Sequence, residues 1–312
     1  MRMIIDTDAG IDDAIALMMA LASPDVTVEA ITTLTGNVHL SNVIPNVFTI
    51  MQVMGNTVPV YAGAQHPLVA DWYSASYVHG NDGLGDWPER PSVEAKPENE
   101  HAALALIRLA NQNPGELTLV ALGPLTNIAL AAHLDPSFPK KIGRFVFMGG
   151  TIAAQGNTPN VTAEFNIYDD PESAYMALKV LPLAEMISWE TTIQHAVPEV
   201  DYQALRSAPS DAGKFLKGIT EQIIRFLSAL PLHPPVFPLA DPLAMAIALE
   251  PHLIQAAADY YGTVELNGTH TRGQTVIDYR HAKKLPANVR VITQVDMTGF
   301  NRLLRRSVGL TG

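Results

Sequence analysis

The chain reads as an α/β protein: an open, mainly parallel sheet flanked by helices, with a helical cap and a C-terminal hairpin. Two features point there. Short apolar runs rich in Val, Ile and Leu alternate with longer stretches whose apolar residues recur three or four apart. After about residue 195 that rhythm gives way to helical patterns around a proline-rich connection. The strands expected are "MRMIID", "TVEAITTL", "VPVYA", "LTLVAL", "RFVFMG" and "LAEMIS". Between them, apolar spacing predicts helices over 11–22, 41–54, 98–110, 125–132 and 171–180. Further helices are expected over 211–229 and 242–249, on either side of "LPLHPPVFPLADP", through which a packed helix cannot run. "YGTVELNGTHTRGQTVIDY" alternates apolar and polar residues around a turn-rich centre and predicts a hairpin or wide loop; "NVRVITQV" then predicts a strand, and a last helix follows. No repeat, low-complexity tract or flexible linker interrupts the chain, so one domain over 1–312 is expected.

Composition narrows the function. With 31 acidic against 20 basic residues the net charge is −11, which disfavours nucleic acid or an anionic membrane as partner and leaves neutral or cationic small molecules. The absence of cysteine excludes disulfides, thiolate nucleophiles and cysteine-ligated metals. Asp6 and Asp8 follow the first residue too closely for a secretory leader, and the longest apolar run, 14–22, is too short for a membrane helix. A cytoplasmic location is expected.

In open parallel sheets, ligands bind outside the carboxyl ends of the strands. Five post-strand loops therefore matter: "DTDAGIDD" (6–13), "TGN" (35–37), "LGPLTN" (122–127), "MGG" (148–150) and "ADP" (240–242). The first holds four aspartates in eight positions. Two carboxylates about 4 Å apart repel by roughly 4 kcal/mol at an effective dielectric near 20. Asp6 and Asp8 are two apart and are expected to point the same way, while Asp12 and Asp13 open the next helix. Helix capping accounts for Asp12 and Asp13 but not for Asp6 and Asp8; a hard divalent cation accounts for the whole cluster. Asp241 carries the same ambiguity and, taken alone, reads as an N-cap before a proline, while Leu122 and Thr126 read as packing or capping. In "TAEFNIYDDPESA", Glu164 and Asn166 are placed to share a face in extended chain, with Asp170 capping the next helix.

The order "DTDAGIDDA", "TGN", "HG", "GPLTN", "MGG", "AEFNIYDDPESA", "DP" and "TRGQTVIDY" resembles the inosine–uridine preferring nucleoside hydrolase family over nearly the whole chain. The resemblance implies hydrolysis of the N-glycosidic bond of a ribonucleoside by a water held on Ca²⁺. It implies that Asp8, Asp13, Asp241 and the carbonyl of Leu122 hold the ion, and that Asp8 is also the general base. Asp12 and Asp241 would contact the ribose hydroxyls, with Asn37, Asn157, Glu164 and Asn166 at the remaining sugar positions and Met148 and Phe165 lining the pocket. A homotetramer or homodimer is implied as well.

The sequence departs from the family pattern at four places. Ala9 replaces a usual proline, expected to loosen the turn; Ala240 replaces a histidine credited with protonating the departing base; "SWETT" (188–192) replaces an "LDVT"-like stretch; and one extra residue makes Asn160 compete with Asn157. His79, in "YVHGNDGLGD", matches a family histidine and is the remaining candidate to assist the leaving group, whereas His195 and His233 have no motif support. Tyr73, Tyr77, Trp87 and Trp189 are candidates to stack on the base. Two competing readings are a haloacid-dehalogenase-type phosphatase, opposed by Gly10 where a threonine is usual, and a nucleoside-binding protein that lost turnover, supported by Ala240.

Overall fold

A computed structural model describes residues 1–228 and 236–311. Six strands, β1 (Arg2–Thr7), β2 (Thr27–Thr33), β3 (Val60–Ala62), β4 (Leu117–Ala121), β5 (Arg144–Met148) and β6 (Ala184–Ile187), pair in the order β3-β2-β1-β4-β5-β6, all parallel. Val289–Val295 adds to β6 in parallel, and Ile254–Tyr260 closes the edge antiparallel to it, giving eight strands. Segments from both ends of the chain thus share one sheet.

The strands alternate strictly between two cores. Met3 and Ile5 of β1 face one apolar layer, while Ile4 faces the other; in β5 Val146 and Met148 face the first, Phe145 and Phe147 the second. The first layer is covered by α1 (Ile11–Leu21), α2 (Leu40–Met54) and the helices Ala240–Leu249 and Met297–Ser307. The second is covered by α4 (Ala102–Gln112), α5 (Thr126–Leu134) and α7 (Pro171–Val180). Three short helices lie between these elements: α3 (Ser76–His79), α6 (Phe165–Asp169) and α8 (Trp189–Gln194).

Several boundaries differ from expectation. The helix expected from 98 starts at Ala102 with His101 as its cap, because Glu98 instead donates its backbone N–H to Val60 O (2.7 Å) as an extension of the sheet. The 211–229 pattern is two helices, Asp211–Ile219 and Glu221–Ser228, broken at Thr220. An additional helix, Glu199–Arg206, belongs to the same cap. In the proline-rich connection, Val236–Phe237 pairs antiparallel with Val197–Pro198; residues 229–235, and with them His233, lie outside the described residues. The C-terminal hairpin pairs Gly262–Val264 with Thr275–Ile277 around a wide loop.

The strand order reverses between β1 and β4, which start outward in opposite directions from the sheet centre. That switch point opens a crevice at the carboxyl ends of the two strands. Asp8 follows β1 and Leu122 follows β4, and Leu122 N donates to Asp6 O (2.8 Å), so the two loops emerge side by side.

Candidate active site

The floor of the crevice is acidic. Asp13, in the first turn of α1, accepts from Gly10 N (2.9 Å) and Asn37 Nδ2 (3.1 Å) through Oδ2, and from the Thr7 hydroxyl through Oδ1. From the third helical position it therefore does help to cap α1, whose N-cap is Gly10, while facing the other carboxylates. Carboxylate oxygens of Asp12, Asp13 and Asp241 lie within 4.8 Å of one another. Asp241 is not an N-cap: the helix begins at Ala240, Leu239 holds the cap position without a side-chain bond, and Asp241 turns inward, 3 % exposed.

Asp8 is buried beside this trio. Its Oδ2 accepts from Asn37 N (2.7 Å), and its Oδ1 has no partner among the described residues. Room for the carboxylate comes from two glycines: a Cβ on Gly36 would stand 2.1 Å from Oδ2, and one on Gly123 2.8 Å from Oδ1. Burial, then the charges of Asp13 and Asp12, push the Asp8 carboxyl well above the usual carboxylate range. Asp241 is pushed the same way by burial and then by Asp12, Asp13 and Asp8. All four carboxylates thus feel one another, and a bare cluster of this kind favours protons or a cation. The orphaned Asp8 oxygen and the all-oxygen donor set fit a hard cation.

Asp6 is not part of the cluster, contrary to expectation. Its Oδ1 accepts from the Thr32 hydroxyl and from Asn127 Nδ2 (2.8 Å), on the side of α5, while its Oδ2, like Asp8 Oδ1, is buried with no partner among the described residues. The alternation that would have aligned Asp6 with Asp8 ends with β1 at Thr7, and Ala9 then takes a φ of 37°. Proline cannot reach that angle, so the turn as built here requires a residue other than proline at position 9.

Above the floor lies a cavity of about 380 Å3. At its polar end are Asp12, Asn37, Asn157, Glu164, Asn166 and Asp241. Glu164 and Asn166 do not sit in extended chain; Glu164 caps α6, and its carboxylate accepts from Gly150 N (2.8 Å), Asn166 N (2.9 Å) and Ile167 N (3.3 Å). Burial lifts it to about 7 despite those donors. Asn166 Nδ2 donates to Leu122 O (2.7 Å) and Met148 O (3.2 Å), joining the loops after β4 and β5. Leu122, Met148 and Phe165 also line the cavity. Asn157 lines it and accepts from Phe165 N (2.9 Å), whereas Asn160 is tied to Thr162 N, Ala163 N and Arg272 O and lies away from it.

The other end is apolar, walled by Tyr77, Trp189, Ile193, Ile223, Phe226 and Ala240. Of the four aromatic candidates, Tyr77 and Trp189 reach the cavity. Tyr73 packs on Phe165 and Tyr168, and Trp87 on Phe215, so neither lines it. Ile223 and Phe226 escaped the sequence reading, although their three-residue spacing marks one face of Glu221–Ser228. His79 also lines the cavity, with Nδ1 3.9 Å from Asp12 Oδ1. Its Nδ1 accepts from Ile11 N (3.0 Å), which assigns the ring proton to Nε2, and burial holds its pKa at about 4 against the pull of Asp13. His195 is a satisfied buried histidine, with Nδ1 on Thr191 O (2.7 Å) and Nε2 accepting from Val295 N (3.1 Å).

Comparison with known proteins identifies the family. The profile of the family described as inosine-uridine preferring nucleoside hydrolase matches residues 3–302. The pyrimidine-specific ribonucleoside hydrolase RihA of Enterobacter sp. (strain 638) is 33% identical over 303 residues, covering 96% of this chain and 95% of its own. Among solved structures, the plant nucleoside hydrolase PpNRh1 aligns with a TM-score of 0.91 at 33% identity, covering 99% of each chain. An inosine-guanosine nucleoside hydrolase aligns with a TM-score of 0.91 at 33% identity, covering 100% of this chain and 99% of its own. A match over nearly the whole chain leaves no place for the phosphatase reading. The chain belongs to the inosine-uridine preferring nucleoside hydrolase family and is, like these relatives, a nucleoside N-ribohydrolase.

Proposed function

We propose that the protein, acting as one domain, hydrolyses the N-glycosidic bond of ribonucleosides in a calcium-dependent reaction, releasing ribose and free base. The observation that carries this is the fully buried, partnerless Asp8 Oδ1 beside the converging carboxylates of Asp12, Asp13 and Asp241, under a cavity whose polar end is built of amides and acids. Asp8, Asp13, Asp241 and the Leu122 carbonyl would hold the ion. When bound, Ca²⁺ would neutralise the cluster and acidify a coordinated water, more weakly than zinc would.

The chain's own residues supply the rest. Asp8, kept in place by Asn37 N, accepts the proton of the attacking water as general base. Asn37 bonds Asp13 through Nδ2 as well, so one residue orients both carboxylates. Asp12 and Asp241 accept from the ribose hydroxyls, and Asn157, Glu164 and Asn166 complete the sugar site. Hydrogen bonds to the 2′-hydroxyl that tighten as the sugar becomes oxocarbenium-like lower the barrier, and the anionic floor favours the developing positive charge. The base lies against Tyr77 and Trp189. His79, neutral with its proton on Nε2, assists the departing base as a hydrogen-bond donor, the role left open by Ala240. The net charge of −11 and the absence of cysteine suit a cytoplasmic enzyme, and the family likeness suits a homodimer or homotetramer.

The test is ribose release from inosine, uridine, cytidine and a nitrophenyl riboside, with calcium and with a chelator. Calcium-dependent release from at least one natural nucleoside is expected. Release that survives exhaustive chelation would overturn the calcium reading, and no release from any of the four would overturn the substrate reading.

A further inference from the structure

We infer that Asn46 is a positioning residue that holds the carboxylate loop and the His79 loop in register, and so sets calcium affinity without touching the ion. The inference rests on the calcium reading above.

Asn46 lies on α2, does not line the cavity, and is 1 % exposed. Its Nδ2 donates both hydrogens to loop carbonyls: Ala9 O (3.1 Å), directly after Asp8, and Asp82 O (2.8 Å), three residues after His79. Its Oδ1 accepts from Arg90 Nη1 (3.3 Å), and the same Nη1 pairs with Asp82 Oδ2 (2.9 Å). Arg90 therefore fixes which way the amide points. Asp82 in turn accepts from Leu84 N (2.7 Å) and Asp86 N (3.0 Å), closing its own loop.

Two backbone features make this clamp consequential. Ala9 is fully buried with a φ of 37°, a conformation that an L-residue keeps only when its surroundings impose it. Its peptide groups are held on one side by Ala9 N donating to Thr7 Oγ1 (3.1 Å) and on the other by Asn46. Thr7 Oγ1 is also the donor to Asp13, so the path of Ala9 sets the spacing of Asp8 and Asp13. On the facing loop, Gly83 has a φ of 85°, and a Cβ there would stand 2.8 Å from Asn46 Nδ2 and 3.3 Å from Ala9 O. The loops approach so closely that glycine is required, and the Asn46 amide is the donor between them. Without it, Ala9 can relax and the Asp8 and Asp13 carboxylates separate, while the Ile11 N to His79 Nδ1 bond still joins the His79 loop to the start of α1.

The experiment is calorimetric titration of the full chain with Ca²⁺, with melting in chelator recorded in parallel, for wild type, Asn46→Ala, the similarly branched but apolar Asn46→Leu, and Asn288→Ala. Asn288 clamps Leu178 O, Gly262 O and Gly262 N in a similar way at the opposite end of the sheet, and controls for lost stability. Both Asn46 variants should bind calcium about ten- to a hundredfold more weakly, the range for residues that orient metal ligands, with Asn288→Ala close to wild type. Asn46 variants that melt lower yet bind calcium like wild type would make the amide purely structural and overturn the inference. Should neither Asn46 variant fold, Arg90→Ala, which frees the amide at a half-buried position, is expected to weaken calcium binding severalfold; unchanged affinity there overturns the inference too. Wild type that takes up no calcium would overturn both this inference and the reading on which it rests.

Discussion

Replacing Asp8 by asparagine separates its two proposed duties from simple structural support. The carbonyl of the new amide can keep the 2.7 Å bond from Asn37 N, which leaves an NH2 group where the partnerless Oδ1 now stands. Turnover should then fall by about 10²–10⁴, the usual worth of a positioned general base, equivalent to about 3–5 kcal/mol on the barrier at 1.36 kcal/mol per tenfold. Stability should move the other way when no cation is present. Asp8 is fully buried beside Asp13 and Asp12, and two like charges near 4 Å cost at most roughly 4 kcal/mol at an effective dielectric near 20, part of which proton uptake relieves. Asp8→Asn should therefore melt higher than wild type in chelator at pH 8, by on the order of 1–3 kcal/mol, and gain less from added calcium. Reducing-sugar assay at saturating calcium reads the first effect and thermal melting with and without chelator the second. A variant within threefold of wild-type turnover, or one that melts lower in chelator, would refute the reasoning.

Three further outcomes are expected. Asp6→Asn keeps an acceptor for Thr32 and Asn127 and should leave turnover within about tenfold of wild type, since Asp6 lies outside the carboxylate cluster; a loss as large as that of Asp8→Asn would place it inside. His79→Ala should slow natural nucleosides more than a nitrophenyl riboside, whose leaving group needs no proton, and equal losses would remove His79 from that role. In chelator, stability should fall as pH rises: burial holds Asp6 and Glu164 at about 7 and Asp169 at about 8, so the folded chain binds more protons than the unfolded one from about pH 4 up to those values. His79, held at about 4, works oppositely between there and about 6.5, but it is one group against several. The melting temperature in chelator should thus drop between pH 5.5 and 8.5 while the increment from calcium grows; a rise in chelator would contradict the assignment.

Much of this arrangement was legible in the chain because it is local. Strand-forming runs and the loops after them can be read from apolar period and turn residues, and the rule that ligands sit at carboxyl ends then selects the loops carrying Asp8, Asn37, Leu122, Met148 and Asp241. What failed was extrapolation past an element's end. Asp6 and Asp8 share a period of two only if the strand continues, and it stops at Thr7. Glu164 and Asn166 were expected in extended chain, but a buried carboxylate there accepts three backbone N–H groups and starts a helix instead. Other features depend on contacts between distant residues that no local pattern carries: Arg272 O, not the "NTPN" sequence, takes Asn160 away from the cavity, and Ile11 N sets the tautomer of His79. Asn46 looks like any polar residue within a helix until Ala9 and Asp82 are seen on either side of its amide.

The coordination itself is the most direct test: a crystal grown with Ca²⁺ and ribose, with the ion located by its anomalous signal. One calcium should lie within about 2.3–2.6 Å of oxygens from Asp8, Asp13, Asp241 and Leu122, with a ribose hydroxyl on Asp12 or Asp241. Calcium bound elsewhere, or ribose seated with no ion over these carboxylates, would contradict the account.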